Sequence, residues 1–117
     1  MDSSIPTKLA RFIAPGKVFV FSTTYCPYCV KAKDLLNSLN VKYGYVEVDA
    51  DSDLDNDEDF LSTLEKHSKI STYPKVYIGS TCIGGFDKLS AAEKSGKLFP
   101  MLKKEKVSFK GEENYQV

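Results

Sequence analysis

At 117 residues and 13.1 kDa the chain is long enough for one domain with a modest core, and its 42% hydrophobic and 27% charged content is ordinary for a soluble globular protein. Sixteen basic residues cancel sixteen acidic ones, so no whole-chain field points to nucleic acid or to an anionic membrane. No apolar run approaches the ~20 residues of a membrane span, the first residues lack the apolar core of a secretory signal, and three cysteines are too few for a disulfide-stapled secreted scaffold. The expectation is a cytosolic protein in a reducing setting, where a close cysteine pair is catalytic or metal-binding more often than structural.

With no repeat, low-complexity linker or Pro/Gly-rich boundary, residues 1–117 read as one domain with a core of about 17–104. "SSIPTKLARFIA" predicts a short leading helix capped by Ser4, with Leu9, Phe12 and Ile13 on one face, and "APGK" ends it. "KVFVFS" is a continuous apolar run of strand length, as expected for a strand buried on both faces. From Pro27 onward Ala32, Leu35, Leu36 and Leu39 recur at helical spacing between Lys31, Lys33 and Asp34, and proline is tolerated in a first helical turn. "VKYGYVEVDA" supplies a second strand. "DLDNDEDFLSTLEKHSK" reads as a helix with carboxylates at its positive end and Phe60, Leu61 and Leu64 facing inward. His67 falls in its last turn, where a partial positive charge is welcome. "KVYIGSTCIGGF" is a hairpin turning at Gly79-Ser80, and "DKLSAAEKSGKLFPMLKKE" gives closing helices that break at Gly96. The tail "VSFKGEENYQV" shows only weak alternation at Val107 and Phe109 and takes no role. The order α-β-α-β-α-β-β-α predicts an α/β fold with a four-stranded mixed sheet, helices on both faces, and Cys26 at the carboxyl end of a central strand.

The pair Cys26 and Cys29 in "TYCPYC" straddles that strand-to-helix junction. A thiolate at a helix N-terminus is favoured by unpaired N–H groups and the helix dipole, and its pKa can fall from ~8.5 into the range of roughly 3.5–7.5. Cys29, one turn later, is within reach to form or break a disulfide. A zinc site made of Cys26, Cys29, Cys82 and His67 satisfies a Cys3His count but lacks a second close pair. In "DADSDLDNDEDF" the glycine and glutamate that a calcium loop needs are replaced by Leu54 and Phe60 when the loop starts at Asp49, so a solvated loop and helix start is the better account. Cys82 reads as a small, partly buried strand residue, with glutathionylation or a regulatory disulfide as alternatives.

"TYCPYC" before an amphipathic helix, then "TYP", then "CIGGF" before another helix, resembles a dithiol glutaredoxin of the thioredoxin fold over about Lys17 to Lys104. The chain has no tryptophan and so lacks the thioredoxin signature, and the Gly-Phe-Ser of monothiol relatives is absent. The resemblance implies glutathione as co-substrate, no metal, Cys26 as nucleophile and Cys29 as resolving cysteine. Tyr25 and Tyr28 would form an aromatic wall. Thr72, Tyr73 and Pro74 would supply a cis-proline step whose backbone pairs with the cysteinyl unit. Gly84 and Gly85 would admit the ligand closely, and Phe86, Asp87 and Lys88 would open a helix that holds the γ-glutamyl end.

Two positions depart from that pattern. Thr23 stands where the family has a lysine near the thiolate, and Lys88 stands where it often has a second acid. Lys75 or Lys69 would be the candidates to replace the lost cation. The implied partners are glutathionylated or disulfide-containing proteins, with glutathione reductase acting indirectly through the glutathione pool, for a monomer that binds neither nucleic acid nor membrane. The competing readings are a thioredoxin-like reductase served by a flavoenzyme, an iron–sulfur carrier with Cys26 and glutathione as ligands, which Pro27 argues against, and a non-catalytic adaptor.

Overall fold

A computed structural model describes residues 5–114. Strands β1 (Val18–Ser22), β2 (Gly44–Glu47), β3 (Lys75–Ile78) and β4 (Thr81–Gly84) form a sheet in the order β2-β1-β3-β4. β1 pairs with β2 in parallel, while β1–β3 and β3–β4 are antiparallel. Helices α1 (Pro27–Ser38), α2 (Glu58–Ser68), α3 (Phe86–Ser95) and α4 (Leu98–Lys104) complete the thioredoxin-like architecture expected from the element order.

Strand alternation divides the core in two. Val18, Val20, Val76 and Ile78 face α1, α3 and α4 and pack with Ala32, Leu36, Leu89, Leu98 and Leu102. Phe21 and Tyr77 project from the other face toward Leu54, Phe60 and Leu64 of the α2 side. Phe21 lies edge-on to Phe12 at 5.6 Å and tilted to Phe60 at 6.3 Å, so aromatic contacts link the sheet to α2 and to the leading segment. Gly44 makes room for this layer, because a Cβ there would lie 2.9 Å from the Phe19 ring.

α2 is shorter than the acidic stretch before it suggested. Asp57 accepts from the N–H of Phe60 at 2.9 Å and so starts the helix at Glu58, leaving residues 52–56 as turns with Leu54 buried among them. The segment expected as a leading helix is instead a run of turns over residues 7–12. Its bonds mix both spacings: the N–H groups of Leu9 and Ala10 donate to the Pro6 carbonyl, and those of Phe12 and Ile13 to the Leu9 carbonyl. A segment this short has little helical stability of its own, and the burial of Leu9 and Ile13 decides its shape. Ser4, the expected cap, lies outside the described residues.

His67 departs from its expected role. Its ring stacks on Tyr77 at 5.6 Å, and Nδ1 lies 2.8 Å from the Tyr77 hydroxyl. Burial, and then the nearby Lys69, lower its pKa, so the ring is neutral at neutral pH while it shares a hydrogen bond with the Tyr77 hydroxyl. The tail also has a place. Val107 and Phe109 are buried in the α1/α3/α4 core, the Phe99 and Phe109 rings lie 5.0 Å apart, and the Lys110 N–H donates to the Leu39 carbonyl at 2.6 Å. On the β2 edge, Lys33 of α1 pairs with Glu47 at 2.9 Å and lies 4.1 Å from the Tyr45 ring centroid.

Phe109→Ala is expected to destabilise the fold by about 3 kcal/mol, read from urea unfolding, because it opens a cavity in the core. The folded His67 binds a proton less readily than the unfolded chain, so more protons are bound on unfolding below the ordinary histidine value of 6.5. Stability should therefore decline as pH falls through that value, and pH-dependent denaturation of His67→Gln should lack this component.

Candidate active site

β1 is buried almost throughout and ends at Ser22; five residues later the chain enters α1 at Pro27 with Cys26 as the N-cap. The cap is made by sulfur. The Cys29 N–H donates to Cys26 Sγ at 3.1 Å, and Cys26 is extended, with φ of −105° and ψ of 106°. That N–H is one of the donors a first helical turn leaves without the usual i−4 backbone partner, and the sulfur satisfies it. The Cys26 thiol in turn donates to the Tyr73 carbonyl at 3.6 Å, which ties the position of that sulfur to the segment before Pro74.

The two cysteines differ. Cys26 is partly exposed, whereas Cys29 is 1% exposed. Burial pushes the Cys29 thiol up, and its hydrogen bond with Cys26 adds to the shift. Cys29 is therefore a protonated thiol at neutral pH, set directly behind the exposed sulfur.

Beside Cys26 lies an open cleft of about 450 Å³. Tyr28 lines it from α1, Thr72, Tyr73 and Pro74 from the loop before β3, and Gly85, Phe86, Asp87 and Lys88 from the start of α3. The Tyr73–Pro74 peptide bond is cis. A Cβ on Gly85 would meet the Pro74 carbonyl at 3.3 Å, so the two walls approach closely there. Gly84, with φ of +118°, leaves the space taken by the Lys88 stem: a Cβ would sit 2.6 Å from Lys88 Cγ. The rings of Tyr28 and Phe86 lie 6.1 Å apart.

Two of the expected contact residues fall outside the cleft lining. Thr23 is 7% exposed beneath the active-site loop, and Tyr25 is 78% exposed beside it. Lys75 does not take over the role of the missing lysine. It is 1% exposed, its ammonium donates to the Ile70 carbonyl at 2.6 Å and lies 4.7 Å from the Tyr73 ring centroid. Strand alternation directs it to the α2 face, with Tyr77, and burial lowers its pKa. Cys82 is half-buried on that face, and burial raises its pKa. Among the described residues, no three of His, Cys, Asp and Glu come together to hold a metal ion.

Asp49 was not singled out in the sequence as a site residue. It accepts from the Thr24 N–H at 3.0 Å and from the Thr24 hydroxyl at 2.6 Å, clamping the loop that leads to Cys26. These bonds, led by the hydroxyl, hold its carboxyl below the usual aspartate range. In the sequence it opens an acidic run and looks merely solvated. The signal was the parallel pairing of the two strands, which brings the residue just after β2 beside the end of β1.

A family profile described as glutaredoxin matches residues 18–83. Glutaredoxin-C2 of Arabidopsis thaliana is 42% identical over 95 residues, covering 81% of this chain and 83% of that one. Glutaredoxin-1 of Homo sapiens is 38% identical over 94 residues, covering 78% and 86%. The crystal structure of a buckwheat glutaredoxin–glutathione complex is similar with a TM-score of 0.67 and 36% identity, covering 75% of this chain and 77% of that one. The chain belongs to the glutaredoxin family.

Asp49→Ala is expected to speed amide exchange at Thr24 and to lower turnover severalfold, with the global unfolding midpoint nearly unchanged, as hydrogen exchange and a coupled assay would show.

Proposed function

We propose that the chain is a glutathione-dependent thiol–disulfide oxidoreductase that uses Cys26 as nucleophile and Cys29 as resolving thiol. The observation that carries this reading is the exposed sulfur at the α1 N-cap, with a buried thiol one turn behind it and a ligand-sized cleft alongside. The Cys26 thiolate attacks the glutathione sulfur of a protein–glutathione disulfide. A Cys26–glutathione disulfide forms, and the protein leaves as a thiolate that takes a proton from water. A second glutathione thiolate then attacks the glutathione sulfur on Cys26, releasing oxidised glutathione and restoring the Cys26 thiolate. With protein disulfides the product of the first attack is a mixed disulfide between Cys26 and the substrate. The Cys29 thiol loses its proton and attacks Cys26, closing the Cys26–Cys29 disulfide and freeing the substrate.

In the cleft, the cysteinyl unit of glutathione pairs with the Tyr73 backbone beside Cys26. The γ-glutamyl head sits at the start of α3, where backbone N–H groups favour a carboxylate and Asp87 answers the ammonium. The substrates are glutathionylated and disulfide-containing proteins, and glutathione reductase sustains the cycle through the glutathione pool. The enzyme acts as a monomer in a reducing, cytosolic compartment.

The test is a glutathione-coupled mixed-disulfide assay. Cys29→Ser should keep deglutathionylation while losing most reduction of protein disulfides, and Cys26→Ser should lose both. Turnover persisting in Cys26→Ser would sink the assignment.

A further inference from the structure

Residues 70–73, which lead into the cleft wall, lie outside helix and strand, and side chains supply the hydrogen bonds that fasten them. Ser68 Oγ donates to the Ile70 carbonyl at 3.1 Å, and the Cys26 thiol donates to the Tyr73 carbonyl at 3.6 Å. The shortest tie is Lys75, whose ammonium donates to the Ile70 carbonyl at 2.6 Å and lies 4.7 Å from the Tyr73 ring centroid. Its backbone belongs to β3 and pairs with Phe21 of the buried β1, so the side chain reaches back from the sheet over the loop it follows. It holds both ends of that loop, one by a charged hydrogen bond and the other by a cation–π contact. Lys75 is 1% exposed, and among the described residues no carboxylate stands within ion-pair distance of its ammonium. A methionine of similar length would fill the same space without burying an unneutralised charge. The core does not require that charge; the contacts it makes are to the loop beside Cys26.

We propose that Lys75 is a positioning residue of the active site: working from the central sheet, it sets the Ile70–Tyr73 segment and with it the Tyr73 backbone that faces Cys26 and lines the cleft. Lys75 does not itself line the cleft, and its influence passes through Tyr73. The contact with Ile70 fixes the near end of the segment. The contact with the Tyr73 ring fixes the end whose carbonyl receives the Cys26 thiol. A mixed disulfide in the cleft is aligned against that backbone before attack. A segment that drifts therefore loses the alignment, while the sulfur keeps its place at the α1 N-cap. The effect on turnover rests on the glutathione-dependent reading above; the effect on the segment does not.

Lys75→Met removes the charge and the donor and keeps the length of the stem. Four quantities are compared with wild type: kcat/KM for the hydroxyethyl mixed disulfide of glutathione, alkylation of Cys26 by iodoacetamide, the urea unfolding midpoint, and backbone order parameters over residues 70–73. In Lys75→Met, kcat/KM should fall about tenfold, the scale of one hydrogen bond to a charged group. Alkylation, which makes no use of the cleft, should be unchanged, and the midpoint should hold or rise because a buried charge has been removed. The order parameters of Thr72 and Tyr73 should fall from about 0.85, typical of rigid backbone, toward about 0.6. Lys75→Arg, which returns a charged donor on a stem of similar reach, should recover most of the lost turnover. Wild-type kcat/KM or wild-type order parameters in Lys75→Met overturn the inference. So does a midpoint that falls in step with turnover, the mark of a merely structural residue, or alkylation that slows as far as turnover does. If the wild type turns over no glutathione disulfide, the glutathione-dependent reading itself fails, and the order parameters decide for Lys75.

Discussion

The N–H of Cys29 pointing at the sulfur of Cys26 is the contact on which the chemistry depends. It settles an ordinary problem of helix termini, an orphan backbone donor, with the sulfur of the first cysteine of the redox pair. The same contact places the second thiol behind the first, since a donor three residues along belongs to the residue whose side chain follows it into the core. Exposure and burial then make two chemically identical side chains different, one sulfur partly open to solvent and the other a buried, protonated thiol.

The surrounding structure brings three separate segments to that sulfur. β1 delivers the loop, Asp49 beyond β2 pins the loop through Thr24, and the carbonyl of Tyr73 meets the Cys26 thiol from the segment before β3. The parallel β1–β2 pair and the antiparallel β1–β3 pair both converge on the carboxyl end of β1. A site built at such a convergence inherits the rigidity of the sheet without lying inside it. The charged residues of the cleft, Asp87 and Lys88, come from farther away, on the first turn of α3.

Much of this was legible in the amino-acid sequence where the signals are local. The α1 pattern from Pro27, the Gly79-Ser80 turn and the break at Gly96 each rest on a few neighbouring residues, and each stands where expected. The cleft residues after the glycine pair came instead from the family resemblance carried by "CIGGF". What escaped depends on distant partners. Lys75 looked like a free cation until the sheet turned it toward Ile70 and Tyr73. Asp49 looked solvated until β2 lay beside β1, His67 looked charged until Tyr77 stacked beneath it, and Phe109 looked idle until Phe99 met it. The leading segment was misread because a helical spacing of Leu9, Phe12 and Ile13 is equally satisfied by successive turns anchored in the core.

One feature of the β2 edge bears on solubility. β2 is an outer strand with an exposed tyrosine at its centre, the kind of edge on which a second chain can add a strand. Lys33 reaches from α1 to pair with Glu47 and to lie against Tyr45, so a charged side chain lies along the open flank. A strand arriving there would meet an ion pair and a cation held against the side chains of that outer strand. The helix that Cys26 caps thus also lays charge against the sheet's outer strand, the kind of feature that discourages edge pairing.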